Sequence, residues 1–225
     1  PAYSFLFEMD QNGVALTSLS FKGFNQNQIK ELSVGMEQIF VLGSFDSSLS
    51  LPGGNLNSLG SSSFAMCLGR GLVQQWASVV TDLGQPLGLD TDAFGFPVIL
   101  TRFRDSVSVP ESSVKLASSG QGDLLMAKLH KKDGSFLWHK QLGGIGDENA
   151  SDLKIDSYGK VFALLSSGQS FQADSFNSGS GSLLLATVES VAKPTFVAPL
   201  DLNLTKEESF YHEISANAPL GFCRM

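Results

Sequence analysis

Residues 122–168 read GDLLMAKLHKKDGSFLWHKQLGGIGDENASDLKIDSYGKVFALLSSG. The stretch holds alternating apolar segments, a tryptophan, a glycine-rich acidic loop and an Asp-x-x-Gly turn. Alternation of apolar and polar residues is typical of β-strands with one buried face. Asp-Gly and Asp-x-x-Gly supply the positive φ angles that tight turns need. The stretch therefore predicts a run of short strands joined by turns.

The first apolar segment of this stretch recurs along the whole chain. Its four copies are YSFLFEM, SSFAMCL, DLLMAKL and SLLLATV, and they end at Met9, Leu68, Leu129 and Val188, at spacings of 59, 61 and 59 positions. Three further apolar segments follow each copy in the same order. An even period of this kind is the signature of a repeat protein. It predicts four-stranded units at about residues 3–61, 62–122, 123–181 and 182–225.

Four-stranded units in tandem fit a β-propeller, in which twisted sheets pack radially. The clearest unit also carries specific motifs, which are Asp123–Leu129, Asp133-Gly134, Leu137-Trp138, Leu142–Asp147, Ala150, Asp156–Gly159 and Val161-Phe162. In these motifs residues 123–168 resemble the bacterial β-propeller repeat family known as SBBP. The period extends the resemblance to the rest of the chain. The family implies a propeller scaffold in secreted or surface proteins, without a single activity.

The resemblance also implies an order of strands within each blade. The segment of the ASDLKID type would be innermost, so residues 3–23 would be the outer half of a blade and residues 210–225 the complementary inner half. Two arrangements stay open for the single predicted domain, residues 1–225. The half-blades pair and close a four-bladed ring, or the chain is part of a larger propeller. The Ser/Gly-rich connections of about 15 to 20 residues between units are expected to be spacers or binding loops.

Composition excludes several classes of function. The formal net charge is −7 and the lysines and arginines are scattered, which argues against a nucleic-acid partner. No apolar run is long enough to span a bilayer, so no membrane insertion is predicted. The two cysteines, Cys67 and Cys223, are expected to be separate buried thiols or a single disulfide.

Three kinds of binding residue are candidates. Asp147, Glu148 and Asp152 offer oxygen ligands to calcium, although a tight turn between strands is favoured. Trp76 and Trp138 occupy nearly the same place in successive units, where aromatic side chains pack between blades or line a sugar pocket. Two Asn-x-Ser/Thr glycosylation triplets, at Asn149 and Asn203, are expected to lie in loops.

No catalytic set is predicted. The histidines lie at non-equivalent places in the repeat, and GSGSL at Gly179 lacks the strand-to-helix turn of a nucleophile elbow. The acidic residues available to a central active site are Asp90, Asp92, Asp152, Asp156 and Glu213. They differ between units, so a common chemistry is not expected.

These observations predict a non-enzymatic β-propeller module, extracellular or on the cell surface, with a structural, adhesive or protein-interaction role. The expected partner is a protein or a glycan, with self-association or pairing with missing blades as a further expectation. A carbohydrate-binding propeller is the alternative, followed by an enzyme with its site at the central mouth. No cofactor is predicted beyond the calcium candidate.

Overall fold

A computed structural model describes residues 2–108, 114–173, 176–178 and 183–189, with side chains for residues 3–108 and 114–171. These residues form β-strands and turns, together with one 3-10 turn at Arg70–Leu72, and contain no α-helix. No helix among them could therefore cross a membrane. The predicted all-β class is confirmed.

The chain begins with a hairpin and continues into a four-stranded antiparallel meander. The hairpin consists of β1 (Ala2–Met9) and β2 (Ala15–Gly23). The first meander consists of β3 (Asn27–Val34), β4 (Ile39–Leu51), β5 (Gly54–Leu68) and β6 (Gln74–Thr81), paired in that order. Lys22 and Gly23 of β2 pair with Ser50 and Leu49 of β4, which joins the hairpin to the meander.

A second meander repeats this arrangement. Its first two strands are β7 (Gly84–Thr91) and β8 (Pro97–Phe103), and a short hairpin of β9 (Ser106–Ser108) and β10 (Lys115–Ala117) follows. The last two strands are β11 (Asp123–Leu129) and β12 (Phe136–Gly144). The hydrogen-bonded order is β7, β8, β11, β12. β11 is thus flanked by β8 and β12, just as β5 is flanked by β4 and β6.

The third sheet contains β13 (Glu148–Ile155), β14 (Lys160–Ser167) and β17 (Leu183–Glu189), in that order. Between β14 and β17 the chain forms β15 (Phe171–Ala173), which pairs with the end of β12, and β16 (Phe176–Ser178), which pairs with β15. Each sheet therefore combines the third and fourth segments of one sequence unit with the first segment of the next.

Two irregularities recur at equivalent places and mark the repeat in the backbone. The first strand of each sheet carries an extra residue opposite its partner, at Lys30, Leu87 and Ser151. The first-segment strands β1, β5 and β11 each shift register at their last residue, which is Met9, Leu68 or Leu129. A bulge needs a specific local backbone geometry, so its recurrence indicates that the units share one structure.

Apolar side chains pack between successive sheets rather than in one central core. Phe40, Trp76 and Cys67 of the first meander contact Ile99 and Leu129 of the second. A further cluster joins the second and third sheets, and another joins the β1–β2 hairpin to the first meander. Burial of such clusters is the main term that stabilises these sheets.

The predicted Ser/Gly-rich connections are largely β-structure, so the expectation that they are plain loops was wrong. The first connection extends β4 and β5 into a long hairpin, with Asp46 opposite Ser61 and Leu51 opposite Gly54. The second contains β9 and β10, and the third contains β15 and β16. Backbone pairing satisfies the peptide groups of these segments, and each of them also buries an apolar side chain, at Leu49, Val107 or Phe171.

The first strands of the three sheets lie side by side, with β7 in contact with both β3 and β13. In the described part of the chain the sheets form no closed ring. The segment at 210–225, which would have to pair with residues 3–23 to close a four-bladed ring, lies outside the described residues. The Asn203 triplet, His212, Glu213 and Cys223 lie outside them as well.

Candidate functional site

The acidic loop between β12 and β13 is a tight turn, and its three calcium candidates point to different surroundings. Asp147 forms an ion pair with Arg102. Glu148 is fully buried and accepts a hydrogen bond from the Ser167 hydroxyl at 2.9 Å. Asp152 is half-exposed, lies 3.3 Å from the Lys154 ammonium group and accepts a hydrogen bond from the Leu153 N–H. No cluster of three metal-ligating side chains occurs within the described residues.

Glu148 is the most unusual member of this loop. Burial raises the pKa of its carboxyl, and the hydrogen bond from Ser167 only partly opposes that rise. The negative charges of Asp123 and Asp147 act in the same direction as burial. The Oε2 atom of Glu148 has no hydrogen-bond partner among the described residues. The surroundings of Glu148 therefore disfavour the charged form of its carboxyl. Glu148 is part of the buried structure and does not offer its oxygens to a cation from solvent.

The other acidic candidates hold the backbone. Asp90 accepts hydrogen bonds from the Ile155 N–H at 2.9 Å and from the Ser33 hydroxyl at 3.3 Å, so it links β7 to both β13 and β3. Asp92 accepts from two backbone N–H groups of its turn and forms an ion pair with Lys128 at 2.6 Å, and Asp156 accepts from two N–H groups of the equivalent turn. Their carboxylates hold backbone N–H groups of turns and strands in place, and they do not point into a common cleft.

The two tryptophans lie between sheets or against a core. Trp76 is 9% exposed, its ring centroid lies 6.2 Å from that of Phe40, and it donates its indole N–H to the Lys131 carbonyl oxygen at 3.0 Å. A Cβ on Gly134 would lie 2.8 Å from the Trp76 ring, so the turn after β11 is closed over it. Trp138 packs against the cluster between the second and third sheets. These surroundings match the packing alternative.

Asn149 and Cys67 both lie in β-strands, in β13 and β5. Asn149 lies in β13 and pairs with Ser166, so the prediction that its triplet lies in a loop was wrong. The reason is that β13 begins only one residue earlier, directly after the tight turn. Cys67 is a free thiol, fully buried at the first sheet junction. Burial raises its pKa to about 12, which makes it unreactive at neutral pH.

An exposed apolar face on β1 was not identified from the sequence. Tyr3, Phe5, Phe7 and Met9 project from one side of the strand and are each more than half exposed. The three aromatic rings stack successively, with centroids 6.3 Å apart in each pair. β1 pairs with β2 along one edge, and the other edge has no partner strand in the described residues. This set of four residues is called the β1 face below.

A polar cleft of about 740 Å³ opens at the junction of the first two meanders. Its wall on the first meander includes Gln28, Lys30, Ser44 and Ser61, and its wall on the second includes Leu83, Gly84, Gln85 and Pro86. Arg102, Arg104 and Asp105 complete the lining. The cleft was also missed, because its residues come from separate strands and from the extended first connection.

A scan of protein-family models and a search of curated proteins found no match to this chain. The resemblance to SBBP repeats therefore stays a prediction, and the case for a function comes from the geometry above.

Proposed function

We propose that this chain is a non-enzymatic, SBBP-type β-propeller module, extracellular or on the cell surface, which works by associating with another β-sheet through the β1 face. The observation that carries the proposal is the exposed state of this face, because the equivalent positions in the second and third units are buried.

The propeller part of the proposal is supported by the order of the strands. Each sheet begins with a third-segment strand and continues outward through fourth- and first-segment strands, as the resemblance implies. The strands β3, β7 and β13 are neighbours, and the Asp90 carboxylate bonds across to both flanking sheets. Radial packing of twisted sheets around neighbouring first strands is the arrangement of a propeller.

The interaction part is supported by comparing β1 with its counterparts. Phe64, Met66 and Leu68 of β5 are equivalent to Phe5, Phe7 and Met9, and they pack towards the β1–β2 hairpin. Ala127 and Leu129 of β11 pack against the first meander. In both cases the preceding unit covers the face. Three stacked aromatic side chains left in water are costly, and such patches mark association sites.

The occupant we infer is a sheet of the same repeat type. β5 and β11 each receive a fourth-segment strand, β4 or β8, along the edge that is open on β1. A strand of that type would add to β1 by backbone hydrogen bonds, while its sheet covers the aromatic side chains. Pairing of this kind also removes the aggregation hazard of an open edge.

The experiment is light scattering and hydrogen exchange on the full chain, comparing Phe5→Ser/Phe7→Ser with Phe94→Ser/Tyr158→Ser. Phe94 and Tyr158 are 70% and 81% exposed and lie in the turns after β7 and β13, outside the β1–β2 hairpin, so the control removes two exposed aromatic side chains elsewhere. We expect the first variant alone to weaken association, or to speed amide exchange in β1 where the chain covers its own face. Slow exchange in a monomer identifies covering within the chain, and a concentration-dependent mass identifies a second copy.

The proposal would be contradicted if the two variants behave alike and the β1 amides of the wild type exchange freely. These results would show that no sheet of this chain or of a second copy covers the β1 face. Circular dichroism checks that both variants keep their strand content.

The carbohydrate-binding alternative loses the support of its aromatic candidate at Trp76, because that ring is packed between sheets. A different observation, the polar cleft, favours a sugar ligand and is developed next.

A further inference from the structure

We propose that the polar cleft binds an acidic oligosaccharide, a chain of sugars that carry carboxylate or sulfate groups. The proposal does not rest on association through the β1 face, because the cleft lies between the first and second meanders.

The charge of the cleft runs against that of the whole chain. The protein carries a formal net charge of −7, yet three basic residues and one acidic residue line this cleft. The Arg102 guanidinium is already paired with Asp147. Lys30 and Arg104 are exposed, and within the described residues neither forms an ion pair or a side-chain hydrogen bond. Two free cations in a concave site concentrate positive potential and attract an anion.

The backbone holds both cations in defined places. Lys30 is the extra residue of the β3 bulge, a position at which a strand turns a side chain away from its regular alternation. Arg104 follows directly after β8, and the next residue, Asp105, has a positive φ of 59°. Positive φ is uncommon outside glycine, so the chain makes a sharp turn here. Both positions are set by structured backbone rather than by a free loop.

The neutral groups of the lining suit a sugar. The amides of Gln28 and Gln85 and the hydroxyls of Ser44 and Ser61 can donate to and accept from hydroxyl groups. Leu83, half exposed at the rim, offers apolar surface to the C–H face of a sugar ring. A volume of about 740 Å³ is in the usual range of a small-molecule site and accommodates a short oligosaccharide.

Other anionic ligands fit this lining less well. Single-stranded nucleic acids bind through aromatic side chains on which bases stack, and no aromatic residue lines the cleft. An acidic sugar needs only a few cations beside many hydroxyl-binding groups, which is what the cleft presents.

The test is calorimetric titration of the full chain with hexagalacturonate, a chondroitin sulfate hexasaccharide, maltohexaose and inorganic sulfate. The first two probes separate a carboxylate ligand from a sulfated one, and the last two test for neutral sugars and for a simple anion. We expect one or both acidic oligosaccharides to bind, more weakly as salt is added, while maltohexaose and sulfate do not.

The variant Lys30→Gln/Arg104→Gln removes the two free cations, and we expect it to weaken binding by roughly tenfold or more. Arg70→Gln/Lys132→Gln is the matched control, since it makes the same change of charge at exposed residues outside the cleft. The control variant is expected to bind within about twofold of the wild type, because distant exposed charges are screened. Lys30→Arg with Arg104→Lys should restore most of the affinity.

Equal weakening by the two double variants would overturn the proposal, because attraction would then be due to overall charge. Absence of binding by both acidic oligosaccharides would overturn it as well, and so would binding of sulfate or maltohexaose as tight as that of the acidic sugars. Failure of these titrations leaves the light-scattering result on β1 unaffected, so the two proposals can fail separately.

Discussion

β1 and β5 are equivalent strands of successive repeats, yet one presents its apolar face to water and the other buries it. Phe5 is 57% exposed, whereas Phe64, at the same repeat position, is 0% exposed. The two segments alternate in the same way, and both end in a register shift at the equivalent residue. What differs is the neighbour, because the β1–β2 hairpin covers the face of β5 and no described sheet covers that of β1. Local pattern sets which side chains share a face, and packing decides whether that face is core.

The largest expected effect is on this pair of phenylalanines. Phe64 packs between Phe21 and Phe45, whose ring centroids lie 6.4 Å and 6.0 Å away at tilted and edge-on angles. Phe64→Ala should lower the free energy of unfolding by about 3 to 5 kcal/mol, through lost burial and a cavity. Phe5→Ala should lower it by less than about 0.5 kcal/mol in the dilute monomer, in which no second copy covers the β1 face. Urea unfolding measures both, and Phe64→Leu replaces the alanine variant if that one does not fold.

A large loss on Phe5→Ala in the dilute monomer would break the comparison, because it would show that the chain covers the β1 face itself.

The next effect concerns Lys128 of β11 and Cys67 of β5, which are equivalent residues of successive repeats. Lys128 forms a buried ion pair with Asp92, and Cys67 is buried without a charge. Lys128→Met should cost about 3 kcal/mol, because it leaves the Asp92 carboxylate buried without its cation. Adding Asp92→Asn should recover part of that loss, as measured by a double-mutant cycle in urea. Additive losses would show that the pair is not coupled.

A smaller effect should appear as a dependence on pH. The raised pKa of Glu148 means that the folded state binds the proton more tightly than the unfolded state. Stability from this group is therefore fully present below the ordinary pKa of 4.5 and decreases as pH rises from there through the raised folded pKa. Glu148→Gln should thus have a free energy of unfolding about 1 kcal/mol above that of the wild type at pH 8. It should therefore melt at a higher temperature, and the difference should shrink towards pH 4.

Thermal melting between pH 4 and pH 8 measures this difference. Glu37→Gln, at an exposed turn residue, is the control and should change little across the range. If the difference in melting temperature between Glu148→Gln and wild type stays constant from pH 4 to pH 8, the charge of Glu148 is not its cause and the prediction is wrong.

The smallest expected effect compares two Asp-x-x-Gly turns. Gly13 has a φ of 79° and Gly95 a φ of 77°, and neither has an atom closer than 4.0 Å to an added Cβ. Alanine at each should cost about 1 kcal/mol, from backbone strain alone. Because Leu6, Leu19 and Phe21 pack the hairpin on the first meander, both losses should appear in the same urea transition. A loss at Gly95 alone would show that the β1–β2 hairpin unfolds separately.

Sequence reasoning predicted the elements well where a local cause was present. The turn at Asp156-Ser-Tyr-Gly159 forms as expected and Asp92-Ala-Phe-Gly95 forms the equivalent turn in the second meander, since aspartate accepts backbone N–H groups and glycine takes the positive φ. It failed at Asn149 and in the first connection, where polar and glycine-rich residues are held in strands by pairing with a neighbour. Pairing with a neighbouring strand is a tertiary contact, and the amino-acid composition of a segment predicts it poorly.

The candidate site was less predictable than the fold. Trp76 and Glu148 were identified as residues of interest, but only the packing shows that both are buried and structural. Lys30 and Arg104 had no local signature, because a cleft between two sheets combines residues far apart in the chain.

The 60-residue period, the alternating strands, the turns and the all-β class follow from the amino-acid sequence alone, because each depends on residues close together in the chain. Packing of the folded chain sets which apolar faces are covered, which connections join sheets and that Lys30 and Arg104 line one cleft. These depend on the neighbour that a strand receives, and the same alternating heptad is core in β5 and open surface in β1 because only one of them has a sheet packed against it.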